Sequence, residues 1–158
     1  MRLRQLAVMK TIEGIEGYKA LTGQPLGESV WLEVDQDRIN RFADATGDHQ
    51  WIHVDTEKAK EGPFGTTIAH GFLTLSLIPC LTGGLLKIDG VRMAINYGLN
   101  KVRFPSPVKV GSKVRASVRN LSVEDVQGGI QVVNEVILTV EGEAKPVCVA
   151  EMVSRLYS

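Results

Sequence analysis

The chain has 158 residues, of which 44% are hydrophobic, so it is long enough for one domain with a buried core and short for two. Its 18 basic and 18 acidic residues give a formal net charge of zero, which excludes the basic surface that nucleic-acid binding normally needs. The amino-terminal apolar run stops at Lys10, and no stretch approaches the ~20 apolar residues of a membrane span. We therefore expect a cytoplasmic protein that binds neither nucleic acid nor membrane.

The first elements along the chain have mainly helical patterns. Apolar residues recur at helical spacing over about residues 3–20, which predicts an amphipathic helix, broken near Gly14 and Gly17, within an amino-terminal extension of residues 1–27. The segment SVWLEV then alternates as a strand does. The next segment, DQDRINRFADATG, predicts a second helix, because Asp35 can cap its amino end and Gly47 can close its carboxyl end.

The middle and the second half of the chain have contrasting patterns. HGFLTLSLIPCLTGGLL, from His70 to Leu86, is apolar on nearly all sides, which predicts a buried helix that Pro79 kinks or breaks. Four long runs rich in β-branched residues follow, separated by glycine-containing turns, and they predict an antiparallel meander. One apolar helix followed by four strands predicts an α+β fold, with a curved antiparallel sheet around a long central helix.

The segment TGDHQWIHVD combines two acids with two of the three histidines of the chain. One interpretation is a metal site, because His49 and His53 are spaced four apart, as on one face of a helix. However, Gly47 and Trp51 disfavour a regular helix and no third histidine is near in the sequence, so we expect no metal. A second interpretation is an ordinary polar loop, in which Asp48 caps the following turn and His53 is hydrogen-bonded within the loop.

The third interpretation is an acid/base site. A histidine can exchange protons near neutral pH, and a carboxylate can hold the histidine or share its water. Asp48 and His53 supply these two groups if the loop folds back on itself. The buried helix is expected to begin at Gly71, where the first N–H groups have no intrahelical partner. A carbonyl oxygen that gains negative charge could be stabilised there, and glycine lets it approach the backbone closely.

These same segments carry a resemblance to a known family. FADATGDHQWIHVD, followed by GTTIAHGFLTLSL, resembles the signature of the MaoC-like dehydratases, the (R)-specific enoyl-CoA hydratase group. The later VRFPSPVKVGSKV is similar to the second signature of that group. Gln50 and Trp51 stand where its members commonly have asparagine and proline, and this variant resembles the nodulation protein N branch.

The resemblance implies one hot-dog domain over residues 1–158 and a homodimer whose sheets join edge to edge. It implies a hydro-lyase that adds water to an enoyl thioester of CoA or a carrier protein and uses no cofactor. Asp48 and His53 would activate the water, and the Gly71 N–H would hold the thioester oxygen. The residues expected to contact the substrate are Trp51, Ser76, Asn96 and Tyr97. Two alternatives remain open, a hot-dog acyl-CoA thioesterase and a non-catalytic protein that binds acyl thioesters.

Overall fold

The computed structural model describes residues 9–158, so the first residues of the predicted amino-terminal helix lie outside the described part. The helices are α1 (Gly14–Lys19), α2 (Gln36–Thr46), α3 (Trp51–Val54), α4 (Thr56–Lys60), α5 (Gly71–Ser76) and α6 (Ile78–Thr82). The strands are β1 (Lys10–Ile12), β2 (Pro25–Glu28), β3 (Leu32–Val34), β4 (Leu86–Ile88), β5 (Met93–Arg103), β6 (Ser112–Val126), β7 (Gly129–Val140) and β8 (Cys148–Tyr157).

The main sheet is antiparallel, in the order β2–β6–β7–β8–β5, and β3 also pairs with β6. The predicted meander is confirmed for β6, β7 and β8 but is wrong for β5, which pairs with β8 instead of β6. Pro105 and Pro107 lie in the connection from β5 to β6, where their missing N–H groups disfavour a hairpin ladder. That connection instead bonds to the segment before α5, where the Ala69 N–H donates to the Val108 carbonyl at 2.8 Å.

The predicted central helix is present as two consecutive helices, α5 and α6, that meet at Leu77. The break that Pro79 predicts is therefore confirmed, because proline has no N–H to donate to the carbonyl four residues earlier. The helical segment ends at Thr82 rather than Leu86, and Leu86 begins β4. Its buried side chains pack against the sheet in the main core, whose members include Leu73, Leu77, Ile78, Leu81, Val114, Ala116, Leu138 and Ala150.

The amino-terminal helix predicted over residues 3–20 is confirmed in its described part only at Gly14–Lys19 and is wrong at Lys10–Ile12. Residues Lys10–Ile12 form β1, which pairs in parallel with β4, and the helix α1 begins only at Gly14, where φ is +68°. The partner strand lies more than seventy residues away, so helical spacing within the segment does not reveal it. Tyr18 of α1 is buried in a second core with Ile12, Ile130, Val132 and Leu156.

The helix predicted after Asp35 is confirmed with both of its ends. The Asp35 carboxylate accepts from the Arg38 N–H at 2.8 Å, and Gly47 closes the helix at φ +79°. The strand predicted at SVWLEV is shorter and covers Leu32–Val34. A sheet packed on a central helical segment confirms the predicted α+β class. Within residues 9–158, no helix is long and apolar enough to cross a membrane.

Candidate active site

The loop after α2 brings the polar segment of the sequence against α5. Gly47 ends α2 in the left-handed conformation, which turns the chain so that the four-residue helix α3 lies against α2. The Gln36 side-chain amide holds α3 by donating to the His53 backbone carbonyl at 2.8 Å, and the Thr67 hydroxyl donates to the Gln36 carbonyl oxygen at 2.5 Å. Residues from three segments therefore fix the backbone that carries the His53 ring.

The His53 ring is buried, with 6% of the residue exposed, and its tautomer follows from its hydrogen bond. Nδ1 lies 2.7 Å from the Ile68 carbonyl oxygen, which can only accept, so Nδ1 carries the proton and Nε2 keeps its lone pair. Burial lowers the pKa of His53 below its usual value, and the hydrogen bond to Ile68 partly opposes this. The adjacent His70 lowers the pKa further and Asp48 raises it. A neutral ring with a free Nε2 can accept a proton.

His70 lies directly against His53. The two rings stack with centroids 3.8 Å apart and an interplanar angle of 22°, and the Phe42 ring packs against His70 at 4.9 Å. His70 Nε2 donates to the backbone carbonyl of Asp48 at 2.9 Å, while its Nδ1 is buried with no hydrogen-bond partner among the described residues. His70 therefore connects the residue before α5 to the loop that carries Asp48.

Asp48, His53 and His70 come together, with one nitrogen or oxygen atom of each within 4.8 Å of the others. Asp48 is exposed, and its carboxylate accepts from the Gln50 N–H at 3.3 Å, the local turn that the polar-loop interpretation predicts. These three residue types can also bind metals. However, the two rings lie in nearly parallel planes, so lone pairs within those planes do not converge well on one point, which is poor geometry for chelating an ion. The arrangement is better suited to proton transfer.

Gly71 is the first residue of α5 and follows His70 directly. Its N–H is one of the first-turn donors that have no partner within a helix. A Cβ at this position would lie 2.8 Å from Cδ2 of the Phe104 ring, closer than carbon atoms approach in proteins. The Phe104 ring can therefore cover the start of the helix only because residue 71 is glycine.

The residues expected to contact substrate lie in different places. Trp51 packs on α4, where Lys58 Nζ lies 4.7 Å from its ring, and Tyr97 is exposed with the Arg155 guanidinium 3.7 Å from its ring. Neither of these residues lines the cavities described below. Ser76 and Asn96 line the smaller cavity, although the Ser76 hydroxyl donates to the Phe72 carbonyl at 2.6 Å. Their roles stay predictions.

Two cavities lie between the helical segment and the sheet. The smaller, of about 310 Å³, is bordered by α5, and the larger, of about 470 Å³, is bordered by α6. They share the lining residues Pro79, Asn96 and Met152, so they adjoin. Both volumes fall at the low end of the range of ligand pockets, roughly 300–1,000 Å³.

Sequence reasoning assigned no stacking role to His70 and no role to Gln36 or Thr67. The His-Gly pair offered a signal for His70, because the residue that directly precedes a helix lies next to the unpaired N–H groups of its first turn. Gln36 and Thr67 offered no such signal, since isolated polar residues occur throughout the chain and their hydrogen bond joins positions 31 residues apart.

Comparisons with known proteins identify the family of the chain. The family model of the MaoC like domain matches residues 18–142. The chain is 54% identical over 148 residues to 3-hydroxyacyl-thioester dehydratase Z of Mycobacterium tuberculosis, covering 93% of this chain and 98% of that protein. It is 49% identical over 136 residues to nodulation protein N of Rhizobium leguminosarum bv. viciae, covering 84% of each.

The solved structures include a similar fold. The unliganded R-hydratase PhaJ1 of Pseudomonas aeruginosa matches with a TM-score of 0.70 and 25% identity, covering 87% of this chain and 82% of that one. The predicted hot-dog fold and the resemblance to the MaoC-like family are both confirmed. With more than three quarters of its length matched by the family model, the chain belongs to the family of proteins with a MaoC-like domain.

Proposed function

We propose that this protein is a hydro-lyase that adds water across the 2,3 double bond of a trans-2-enoyl thioester and catalyses the reverse dehydration of an (R)-3-hydroxyacyl thioester. The observation that carries the proposal is the buried His53, whose Nδ1–H is committed to the Ile68 carbonyl and which has a ring nitrogen within 4.8 Å of an Asp48 carboxylate oxygen. The relatives named as a dehydratase and an R-hydratase support the same reaction class.

In the hydration direction, Asp48 and His53 hold one water molecule between them. His53 Nε2 or the Asp48 carboxylate accepts a proton from this water while its oxygen adds to C3 of the enoyl group. The pair then delivers a proton to C2 on the same face. A placed acid or base of this kind contributes about 10²–10⁴-fold to the rate.

The Gly71 N–H is the proposed donor to the thioester oxygen. Negative charge grows on that oxygen as the enolate forms, and a donor that is already in place stabilises it more in the transition state than in the ground state. One such donor contributes about 3 kcal/mol in other enzymes. All groups in the proposed reaction belong to the chain, so the proposal includes no cofactor.

Product analysis with crotonyl-CoA tests the proposal against both alternatives. We expect the enoyl absorbance to fall without release of free CoA thiol, and chiral chromatography should identify the product as (R)-3-hydroxybutyryl-CoA. Release of free thiol would identify a thioesterase. Binding of crotonyl-CoA with no loss of absorbance would identify a non-catalytic acyl-thioester-binding protein, and either result would overturn the proposed hydro-lyase.

The assembly that we propose is a homodimer formed through β5. This strand is eleven residues long, lies at the edge of the sheet and pairs on its outer side with no strand of the described chain. Met93, Ile95 and Tyr97 on it are between 40% and 58% exposed. A long apolar edge strand without cover associates with another strand, and a second copy supplies one.

Sedimentation at equilibrium tests this assembly with two matched variants. Ile95→Glu places a charge on the proposed interface and should shift the mass toward the monomer. Leu121→Glu changes a residue of equal exposure, 40%, on β6 and should leave the dimer intact. A native protein that is monomeric at every concentration tested, or equal masses for both variants, would contradict an interface at β5.

A further inference from the structure

The larger cavity is bounded at one side by residues from the amino-terminal part of the chain. Tyr18 of α1 and Leu26 of β2 line it together with residues of α6 and of the sheet. Tyr18 is 3% exposed, so its ring is packed between the cavity and the second core. Residues of the amino-terminal part therefore help to form this cavity.

The two cavities follow the helical segment away from the candidate active site. The smaller cavity reaches Leu75 and Ser76, about one turn after Gly71, and the larger one reaches Thr82. Eleven residues separate Gly71 from Thr82, which at 1.5 Å per residue is roughly 16 Å along the helix. An acyl chain whose thioester lies at Gly71 can extend along this path, between apolar side chains of the helix and the sheet.

Hydrogen bonds fix the Tyr18 ring at the boundary of the larger cavity. Its hydroxyl donates to Asn134 Oδ1 at 3.3 Å, and Asn120 Nδ2 donates to the same oxygen at 2.9 Å. Asn120 is fully buried, and its own Oδ1 accepts from the Gly23 N–H at 3.4 Å. The Tyr18 hydroxyl is thus attached to β7 and the following Gly23 to β6, so the ring cannot easily move aside.

We infer that the Tyr18 ring is the stop that sets the longest hydrocarbon tail that the two adjoining cavities accept. This inference rests on the proposed function. Each methylene that moves from water into the cavity favours binding by about fourfold. Once the tail reaches Tyr18, further carbons have no apolar space and must stay in water or displace the ring, so the gain ends there.

A series of straight-chain trans-2-enoyl-CoA thioesters, lengthened from crotonyl-CoA in two-carbon steps, tests the stop. For each protein, kcat/KM is expressed relative to its own value for crotonyl-CoA. In the native protein the ratio should rise by up to about sixteenfold per two-carbon step, from about fourfold per buried methylene, and then level off or fall. Tyr18→Ala removes the ring and should extend the rise to at least the next longer thioester, while Tyr18→Phe keeps the ring and should keep the native profile.

Two more variants keep the test decisive if Tyr18→Ala fails to fold. Ala94 lines the same cavity and pairs with Leu156, which belongs to the core that contains Tyr18. Ala94→Leu fills that region and should end the rise at a shorter thioester. Ile15 packs on the same core but does not line the cavity, so Ile15→Ala should leave the profile unchanged.

The outcomes separate this inference from the proposed function. If the native protein hydrates none of the thioesters, the proposed function fails. If it hydrates them but folded Tyr18→Ala and Ala94→Leu both keep the native chain-length profile, Tyr18 is not the stop and only this inference is overturned. A profile that Ile15→Ala shifts as much as Tyr18→Ala would also overturn it, because general loosening of α1 would then explain the change.

Discussion

Acidification should inactivate the protein by protonating His53, and the structure predicts where on the pH scale this begins. The proposed base acts only as the neutral imidazole. Burial and the stacked His70 disfavour the charged ring, so the pKa of His53 lies below the usual histidine value of 6.5. The acid limb of kcat/KM for crotonyl-CoA should therefore have its midpoint below pH 6.5.

The size of the effect follows from the protonation equilibrium. Well below the midpoint, each pH unit reduces the neutral fraction about tenfold, so kcat/KM should fall about tenfold per unit. The assay is the initial rate of enoyl-absorbance loss at substrate concentrations far below KM. The protein must be shown by circular dichroism to stay folded at each pH, so that unfolding does not imitate the titration.

His49 provides a matched control for this titration. It lies four residues before His53 but is exposed, and its ring donates to the Asp44 carboxylate at 2.9 Å. That hydrogen bond raises the pKa of His49, opposite to the shift at His53. His49→Gln should leave the acid limb unchanged. A midpoint above pH 6.5 that disappears in His49→Gln would refute the reasoning, because the titrating group would then be His49.

Three further predictions concern stability and are measured by urea unfolding. Because the pKa of His53 is lower in the folded than in the unfolded state, the unfolded state binds the proton first, and stability should fall as pH drops below 6.5, by at most about 1.4 kcal/mol per pH unit from this residue. His53→Gln should lack this part of the slope. Asp35→Ala removes the α2 cap and should cost about 1 kcal/mol. Leu138→Ala, at a fully buried position in the main core, should cost about 2–5 kcal/mol. No measurable loss in Asp35→Ala, or a loss below about 1 kcal/mol in Leu138→Ala, would contradict the role assigned to that residue.

Local sequence signals predicted the elements whose ends are determined by nearby residues. Helix α2 follows from a capping aspartate and a closing glycine, and the turn between β6 and β7 follows from a glycine pair in which Gly128 has φ +82°. Pro79 predicted the division of the central helix for the same reason, since the missing N–H affects only its own turn.

Long-range contacts decided the features that the sequence did not reveal. Strand β1 exists because Lys10–Ile12 pairs with Leu86–Ile88, and no pattern within either segment indicates the other. The pairing of β5 with β8 likewise depends on where the chain returns after two prolines. In the site, Asp48, His53 and Gly71 were predictable as residue types, whereas the His53 tautomer depends on the carbonyl of Ile68, which any residue type could supply.

The most direct test of the proposed water-activating pair is the hydration rate of crotonyl-CoA by Asp48→Asn and His53→Gln. The matched controls are Asp44→Asn and His49→Gln, which change an exposed acid and histidine that pair with each other. Both site variants should stay folded and lose about 10²–10⁴-fold in kcat, while both controls keep the native rate. A folded Asp48→Asn or His53→Gln protein that hydrates crotonyl-CoA at the native rate would contradict the account.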